Sequence, residues 1–423
     1  MKRVIIIGLD GVPFELIKNL SQKGVMPNVR DILKEGTFLP MKSSLPEISS
    51  VAWSSIITGK NPAEHGILGF TDLEPFSYKI KFPSFLDLKE KPFWERIEGK
   101  SVIINVPATY PVKEMQGVHI SGFVSIKLEK AVYPKDLIPE LQEIGYKIDV
   151  SSELAHKNMD LFLEDLQKTL SARIKTYRLL WEKEKNWKIF MLVFTGTDRL
   201  MHFLWSAYED EAHPYHQAFL EHFHEIDKAI GEIFEKKEKE DLFLMFSDHG
   251  FERLEKEIYL NPLLEKEGFL KREKTEDPFL LGVGERSLAF SLDPGRIYLN
   301  LEGKFPKGYV KESEKEKILK ELEKLFSDFK INGKKVIKKI FRKEEIYHGK
   351  FLDKAPDLVL LSEEGFDLKG RFNEIQIEKK GIFTGKHKYE NAFFFCDKKE
   401  KIKNINNFSI FEISEIILDY LKG

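Results

Sequence analysis

The sequence predicts an α/β fold, a large and mostly parallel sheet sandwiched by helices, with a cap or second lobe inserted into it. Two observations carry this. Short apolar runs recur along the chain, beginning with the isoleucine-rich Val4 to Gly8, and read as strands buried on both faces. Amphipathic helical stretches lie between several of these runs, so strand and helix alternate.

After the first strand, Pro13 opens a helix over Phe14 to Leu20, proline being suited to the first helical turn. Pro27 to Glu35 reads as a second helix, stopped by Gly36. Strands are expected at Ser101 to Asn105, His119 to Gly122, Lys188 to Thr195, Leu242 to Ser247, Leu358 to Leu361 and Ala392 to Cys396. Helices are expected over Leu161 to Glu182 and His216 to Lys236. Residues 1–253 and 381–423 are assigned to the sheet-bearing core, with a cap insertion at about 72–100. Residues 254–380 are assigned to an insert or second lobe, with a strand signal at Arg296 to Leu301 and a charged helix at Glu312 to Phe329.

A chain of 423 residues that is 42% hydrophobic can bury a large core. Lys and Arg number 67 against 69 Asp and Glu, so the basic excess of an electrostatic nucleic-acid binder is missing. The single cysteine, Cys396, excludes an intramolecular disulfide and a cysteine-based metal cluster, and it fits a reducing compartment. The apolar stretch Val4 to Leu9 meets Asp10 too soon to be a signal-peptide core. No stretch approaches the ~18 uninterrupted apolar residues of a membrane span. The expected location is the cytoplasm, with no membrane partner.

The chemistry gathers after three expected strands. Val4 to Leu9 ends in Asp10; Lys188 to Phe194 runs into Thr195-Gly-Thr-Asp198, with His202 four residues on; Leu242 to Ser247 ends in Asp248-His249-Gly250. Open α/β sheets bind ligands outside the carboxyl ends of their strands, so these residues can converge on one crevice. Asp198 and His202, at i and i+4, share one helix face. Carboxylate oxygen mixed with imidazole nitrogen suits Zn²⁺ or Mn²⁺ and suits Ca²⁺ poorly. Taken singly, each aspartate reads as a turn or cap residue; the three together point to metal.

In Leu45-Pro-Glu-Ile-Ser49-Ser50-Val-Ala-Trp, a helical pattern starts near Val51 and puts Ser49 or Ser50 at a helix N-terminus. Unpaired N–H groups and the helix dipole favour an alkoxide or a phosphate there. The same position also suits a serine that is only the N-cap. His387, in Phe383-Thr-Gly-Lys-His387 just before the last strand, is placed where a further ligand would be delivered.

In chain order these pieces resemble the type I phosphodiesterase/nucleotide pyrophosphatase group of the alkaline phosphatase superfamily. The stretches that carry the resemblance are Gly-Leu-Asp10-Gly, Ser49-Ser-Val-Ala-Trp-Ser-Ser-Ile-Ile-Thr58-Gly-Lys-Asn-Pro-Ala-Glu-His-Gly66-Ile, Thr197-Asp198-x-x-x-His202, Ser-Asp248-His249-Gly and Gly385-Lys-His387. Two stretches outside the site, Asn105-Val-Pro-Ala-Thr-Tyr-Pro and Gly295-Arg-Ile-Tyr-Leu-Asn-Leu, are similar too, so the resemblance spans nearly the whole chain.

The resemblance implies an alkaline phosphatase-like fold and a phosphodiesterase-like hydrolase with two divalent metal ions, most often zinc, with manganese as the other candidate. Asp198, His202 and His387 would hold one ion; Asp10, Asp248 and His249 would hold the other. Ser49 matches the nucleophile and would also meet the metal, passing through a phosphoserine intermediate. The expected substrate is a small phosphoester, nucleotides included. Two departures bear on that. Serine stands where the nucleotide pyrophosphatases use threonine, as in phosphomonoesterases and related mutases. A phosphate-binding asparagine of the pyrophosphatases falls at Phe70, so Lys60, Arg199 or Lys386 is expected to contact the phosphoryl oxygens instead. The rival readings are a phosphomonoesterase or phosphosugar mutase and, from another class, a catalytically silent binding protein.

Trp53, Phe70, Phe76 and Trp94 are read as core packing, with a base- or lipid-stacking role as the alternative. His213, His216, His222 and His224 are spread around a helix axis and are read as mostly surface residues.

Overall fold

In the computed structural model, which describes residues 2–399, 402 and 407–422, the first apolar run is strand β1 (Val4–Leu9), buried at every position. It belongs to the first of two units, formed by Met1–Lys60, Ser84–Glu252 and Thr384–Gly423. The sheet of this unit also contains β2 (Thr37–Met41), β3 (Lys100–Val106), β4 (Gly117–Ser121), β5 (Val132–Tyr133), β6 (Trp187–Phe194) and β7 (Leu242–Phe246). A two-stranded pair, β8 (Gly250–Arg253) with β9 (Gly385–Lys388), lies outside it, and β10 (Ala392–Cys396) completes the eight strands.

The order across the sheet is β2-β10-β7-β1-β6-β3-β4-β5. The central strands β7, β1, β6, β3 and β4 are parallel, and the edges add antiparallel β2, β10 and β5. The sheet is thus mixed with a parallel centre, which suits the wholly apolar β1 and β7 at its middle. Pro40 lies inside strand β2, and proline is tolerated there because β2 is an edge strand.

Helices α1 (Phe14–Gln22), α2 (Pro27–Ile32), α3 (Ser49–Thr58), α4 (Met159–Lys183), α5 (Gly196–Glu209) and α6 (His216–Glu235) flank the sheet. Helix α3 is buried from Val51 through Thr58 and stops at Gly59, which takes the left-handed conformation at φ 65°. Its Trp53 lies on β1 at Gly8, where an added Cβ would stand 2.6 Å from Trp53 Cη2. Helix α6 corrects one expectation. His222 is buried on the same face as Phe219, Phe223, Ile226 and Ile230.

The second unit is formed by Asn61–Pro83 and Arg253–Phe383. Its main sheet is antiparallel, in the order Ala289–Leu292, Arg296–Leu299, Leu358–Ser362, Ile337–Arg342. The strand expected at Leu358 to Leu361 therefore forms, but in this sheet and not in the large one. The charged helix forms over Lys315–Asp328 and buries Ile318, Leu319, Leu322 and Phe326. Trp53 and Trp94 are buried as expected, whereas Phe76 is 77% exposed. Among the described residues no helix is long and apolar enough to cross a membrane.

Candidate active site

Register brings the three strand ends together. Leu9 of β1 stands opposite Phe194 of β6, and Gly8 stands opposite Phe246 of β7. The residues that follow, Asp10, Thr195 and Ser247-Asp248, leave the sheet side by side, and the Asp10 N–H still reaches Phe194 O at 3.1 Å. Helix α5 begins at once and carries Asp198 and His202 on one face. The paired strands β8 and β9 bring His387 to the same place.

Each of the three histidines has its Nδ1 on a backbone carbonyl: His202 on Gly385 O at 3.1 Å, His387 on Glu47 O at 2.9 Å, and His249 on Gly250 O at 3.0 Å. A carbonyl only accepts, so Nδ1 carries the proton, and a neutral ring presents its Nε2 lone pair. These lone pairs converge. His202 Nε2 and His387 Nε2 are 3.0 Å apart, and Asp198 Oδ1 lies 3.1 Å from the second and 3.5 Å from the first. His249 Nε2 lies 3.4 Å from Asp248 Oδ2 and 3.8 Å from Asp10 Oδ1. Two sets have their ligand atoms within 4.8 Å of one another: Asp198, His249 and His387, and Asp10, Asp248 and His249. His249 stands in both, while the expected grouping gave it to one.

The charges fit cations better than they fit each other. Burial, with Asp248 and Asp198 beside it, pushes the Asp10 carboxyl well above the usual carboxylate range. Burial pushes Asp248 up to about 7, and its Oδ2 is buried with no hydrogen bond. Asp198 goes the other way: burial raises it, but His202, His387 and Arg199 outweigh that and hold it below the usual range. Burial and the neighbouring His387 hold His249 down to about 4, and burial lowers His387. Three buried carboxylates, one with an unbonded oxygen, and facing imidazole lone pairs make an unfavourable arrangement alone and a suitable one for divalent cations. Nitrogen and carboxylate oxygen in these proportions match the chemistry of zinc or manganese.

Ser49 is the first residue of α3, after Ile48 at the N-cap. Its hydroxyl donates to Asp10 Oδ1 at 3.2 Å and lies 3.2 Å from His249 Nε2. Ser50 differs: its Oγ is buried and has no hydrogen-bond partner. The N–H groups of the first helical turn surround Ser49 with partial positive charge.

The expected phosphoryl contacts are scattered. Lys60 follows the far end of α3, a ten-residue helix that separates it from Ser49 by about 15 Å of rise. Phe70 belongs to the second unit and packs edge-on against Phe82 at 5.6 Å. Lys386 neighbours His387 on a strand, so its side chain leaves by the other face, where it pairs with Glu252 at 3.1 Å. Arg199 is beside the site, with Nη1 3.6 Å from Asp198 Oδ2. Its Nε and Nη2 donate to Asp149 at 3.1 and 2.9 Å, and the guanidinium lies 4.0 Å over the Phe123 ring.

Sequence reasoning missed three contributors. Gly11 has φ 73°, and a Cβ there would point at His249 Cε1 and Asp198 Oδ1, 3.1 and 3.2 Å away; the glycine beside Asp10 was its signal. Phe251 packs against all three histidines, with centroids 4.9 Å from His202, 5.6 Å from His387 and 6.4 Å from His249. Its place two residues after His249, in the short strand that pairs with the one carrying His387, could have shown it. Asp149, the partner of Arg199, sits in a loop with no local signal.

The family profile described as type I phosphodiesterase / nucleotide pyrophosphatase matches residues 4–390. A search of curated proteins finds no match. Among solved structures, the fold is similar to phosphonoacetate hydrolase from Sinorhizobium meliloti 1021 in complex with phosphonoacetate, at TM-score 0.66 and 16% identity over 99% of this chain and 95% of that one. It is also similar to murine ectonucleotide pyrophosphatase / phosphodiesterase 5, at TM-score 0.55 and 13% identity over 99% and 95% of the two chains. At these identities the likeness is one of fold.

Proposed function

Because the chain belongs to the type I phosphodiesterase / nucleotide pyrophosphatase family, and is thus a hydrolase of phosphoric esters, we propose that it cleaves a small phosphodiester through Ser49 with two divalent cations. The observation that carries this reading is the Ser49 hydroxyl, 3.2 Å from both Asp10 Oδ1 and His249 Nε2 at the start of a helix. Asp198, His202 and His387 would hold one cation and Asp10, Asp248 and His249 the other, zinc being the first choice and manganese the second. Bound there, the cations would supply Lewis acidity, making the serine oxygen a better nucleophile and offsetting charge on the phosphoryl group and leaving oxygen.

The residues do the rest. The Ser49 proton leaves along its hydrogen bond to Asp10, and Oγ attacks phosphorus in line. The bond to the leaving oxygen breaks as the Oγ–P bond forms, that oxygen takes up the proton held on Asp10 and departs as the alcohol, and a phosphoserine that keeps the second ester group remains. The first turn of α3 directs N–H dipoles at the charged oxygens. Water then cleaves the phosphoserine in a second displacement at the same phosphorus and returns a proton to Oγ. Arg199, held by Asp149, keeps Asp198 ionised and in place.

This reading keeps residues 1–253 and 381–423 as the catalytic core, with a cap insertion at about 72–100, and 254–380 as an insert, with which residues 61–83 form one compact unit. It also places the enzyme in the cytoplasm, which the single buried cysteine suits. Nucleotides are the first substrates to try, and the likeness to a phosphonoacetate hydrolase adds phosphonoacetate to the panel. The test is metal content by elemental analysis, with turnover of bis-p-nitrophenyl phosphate and p-nitrophenyl phosphate on one sample. Two ions per chain, diester preference and a loss of about 10³-fold or more in Ser49→Ala are expected. Near wild-type turnover by Ser49→Ala would sink the serine route, and monoester preference would move the enzyme to the phosphomonoesterases.

A further inference from the structure

The second unit contains a cavity of about 700 Å³, none of whose lining residues belongs to the cluster above. Its apolar wall is Tyr298 and Phe305, both buried. Phe305 stacks on Tyr78 at 5.5 Å and 10°, so this wall is fixed by the unit's core. Lys304 lines the same cavity. Its ammonium lies 5.6 Å from the Phe305 ring centroid and 6.0 Å from that of Tyr298. It donates to the backbone carbonyl of Asp353 at 2.8 Å, and among the described residues no carboxylate pairs with it. A half-buried cation with no carboxylate in ion-pair contact is poorly compensated, and burial lowers its pKa.

The acids on the wall do not pair with it: Glu302 and Asp353 are exposed, and Asp353 meets Lys304 through its backbone carbonyl. Glu74 and Glu312 have side chains 45% and 81% exposed, at the solvent rim. The Asp72 carboxylate accepts from the Leu73 N–H at 2.8 Å. The nearby Lys343 is committed to Asp357 at 3.0 Å.

Phe76 supplies an independent observation. It also lines the cavity, is 77% exposed, and has φ 53°, a region that bulky residues rarely enter. An aromatic side chain held in solvent on a disfavoured backbone gains nothing from the fold around it. Such an outlier is a reason to look for a ligand.

We propose that this cavity binds a small organic anion with a flat apolar body, the anionic group on Lys304 and the flat body against Phe76 and Phe305. The anionic group is a carboxylate or an oxyanion of similar size, which an ammonium held over two aromatic rings can neutralise. The site is separate in its residues from the esterase chemistry and does not rest on that reading.

Isothermal titration of the full chain with 2-naphthoate, in EDTA to keep the probe off any bound cation, tests it. One saturable site per chain is expected. Lys304→Gln, which keeps a donor to the Asp353 carbonyl, should weaken binding at least tenfold, and Phe76→Ala several-fold. Thermal melts of both variants should match the parent, which separates lost binding from lost folding. The cation 2-naphthylmethylammonium should bind at least tenfold more weakly than the naphthoate. Absence of saturable binding, equal affinity in Lys304→Gln, or preference for the cation would each overturn the proposal.

Discussion

His202 Nε2 and His387 Nε2 face each other at 3.0 Å, while the Nδ1 of each is fixed on a backbone carbonyl. Two imidazole lone pairs at that distance repel, and a cation between them removes the repulsion. The folded state should therefore bind divalent metal far better than the unfolded chain does. Zinc at about a thousand times its dissociation constant should stabilise the fold by ~4 kcal/mol. The check is a thermal melt with EDTA and then with Zn²⁺ or Mn²⁺ restored. A second arm is elemental analysis of His387→Ala, expected to fall from two ions per chain towards one. A melt indifferent to chelator and metal would show that the histidines hold no ion.

Trp53 resting on Gly8 ties the helix that begins at Ser49 to the strand that ends at Asp10. A Cβ on Gly8 would stand 2.6 Å from Trp53 Cη2 and 2.9 Å from Val193 Cγ2, closer than side chains pack. Gly8→Ala should cost ~1–3 kcal/mol through overpacking. Because the displaced helix carries Ser49, the proposed nucleophile, kcat should fall more than folding loss explains. Urea unfolding and turnover on the same preparation measure both, and an unchanged midpoint with unchanged kcat would refute the coupling.

Much of this arrangement was legible in the sequence, for a physical reason. Asp10, Asp198, Asp248 and His249 follow apolar runs too short and too apolar to be anything but buried strands, and parallel strands release their chains at one edge. His387 was legible only through its place in the motif order. What could not be read was long-range pairing. Arg199 and Lys386 looked like free cations, yet Asp149 and Glu252, 50 and 134 residues away, engage them. Lys60 was misjudged because nearness in sequence to Ser49 hides a helix's length. His222 was misjudged although its spacing from Phe219 and Ile226 puts it on the apolar face of α6. The strand at Leu358 formed as expected, but a local pattern does not say which sheet a strand joins.

Phe251 holds the three histidine rings from one side, and Gly385 makes room for it: a Cβ there would meet Phe251 Cε1 at 2.4 Å. Removing the ring leaves the ligand atoms in place and frees their orientation. Phe251→Ala should weaken metal binding by about 10–100-fold, the range of lost outer-shell support. Competition with a zinc-binding dye measures that without reference to activity. Affinity equal to the parent would mean that the backbone carbonyls alone set the rings.

The buried histidines outside the active site should cost stability in mild acid, and burial gives the sign. Burial holds His65 and His119 down to about 3 and His222 down to about 4, below their ordinary value near 6.5. Neither ring nitrogen of His222 has a hydrogen bond, and His119 Nε2 has none. Above pH 6.5 each is neutral in both states and contributes no pH dependence. Below it the unfolded chain takes up a proton that the folded chain refuses. The contribution of these histidines is thus complete above pH 6.5 and drains as pH falls towards 4, by up to ~1.4 kcal/mol per pH unit for each, while without metal the raised Asp10 and Asp248 carboxyls contribute with the opposite sign. His222→Gln should flatten the slope of unfolding free energy by about one such increment between pH 6 and 4.5, whatever it costs in absolute stability. A slope identical to the parent would show that His222 is already charged in the folded chain, with an anion beside it.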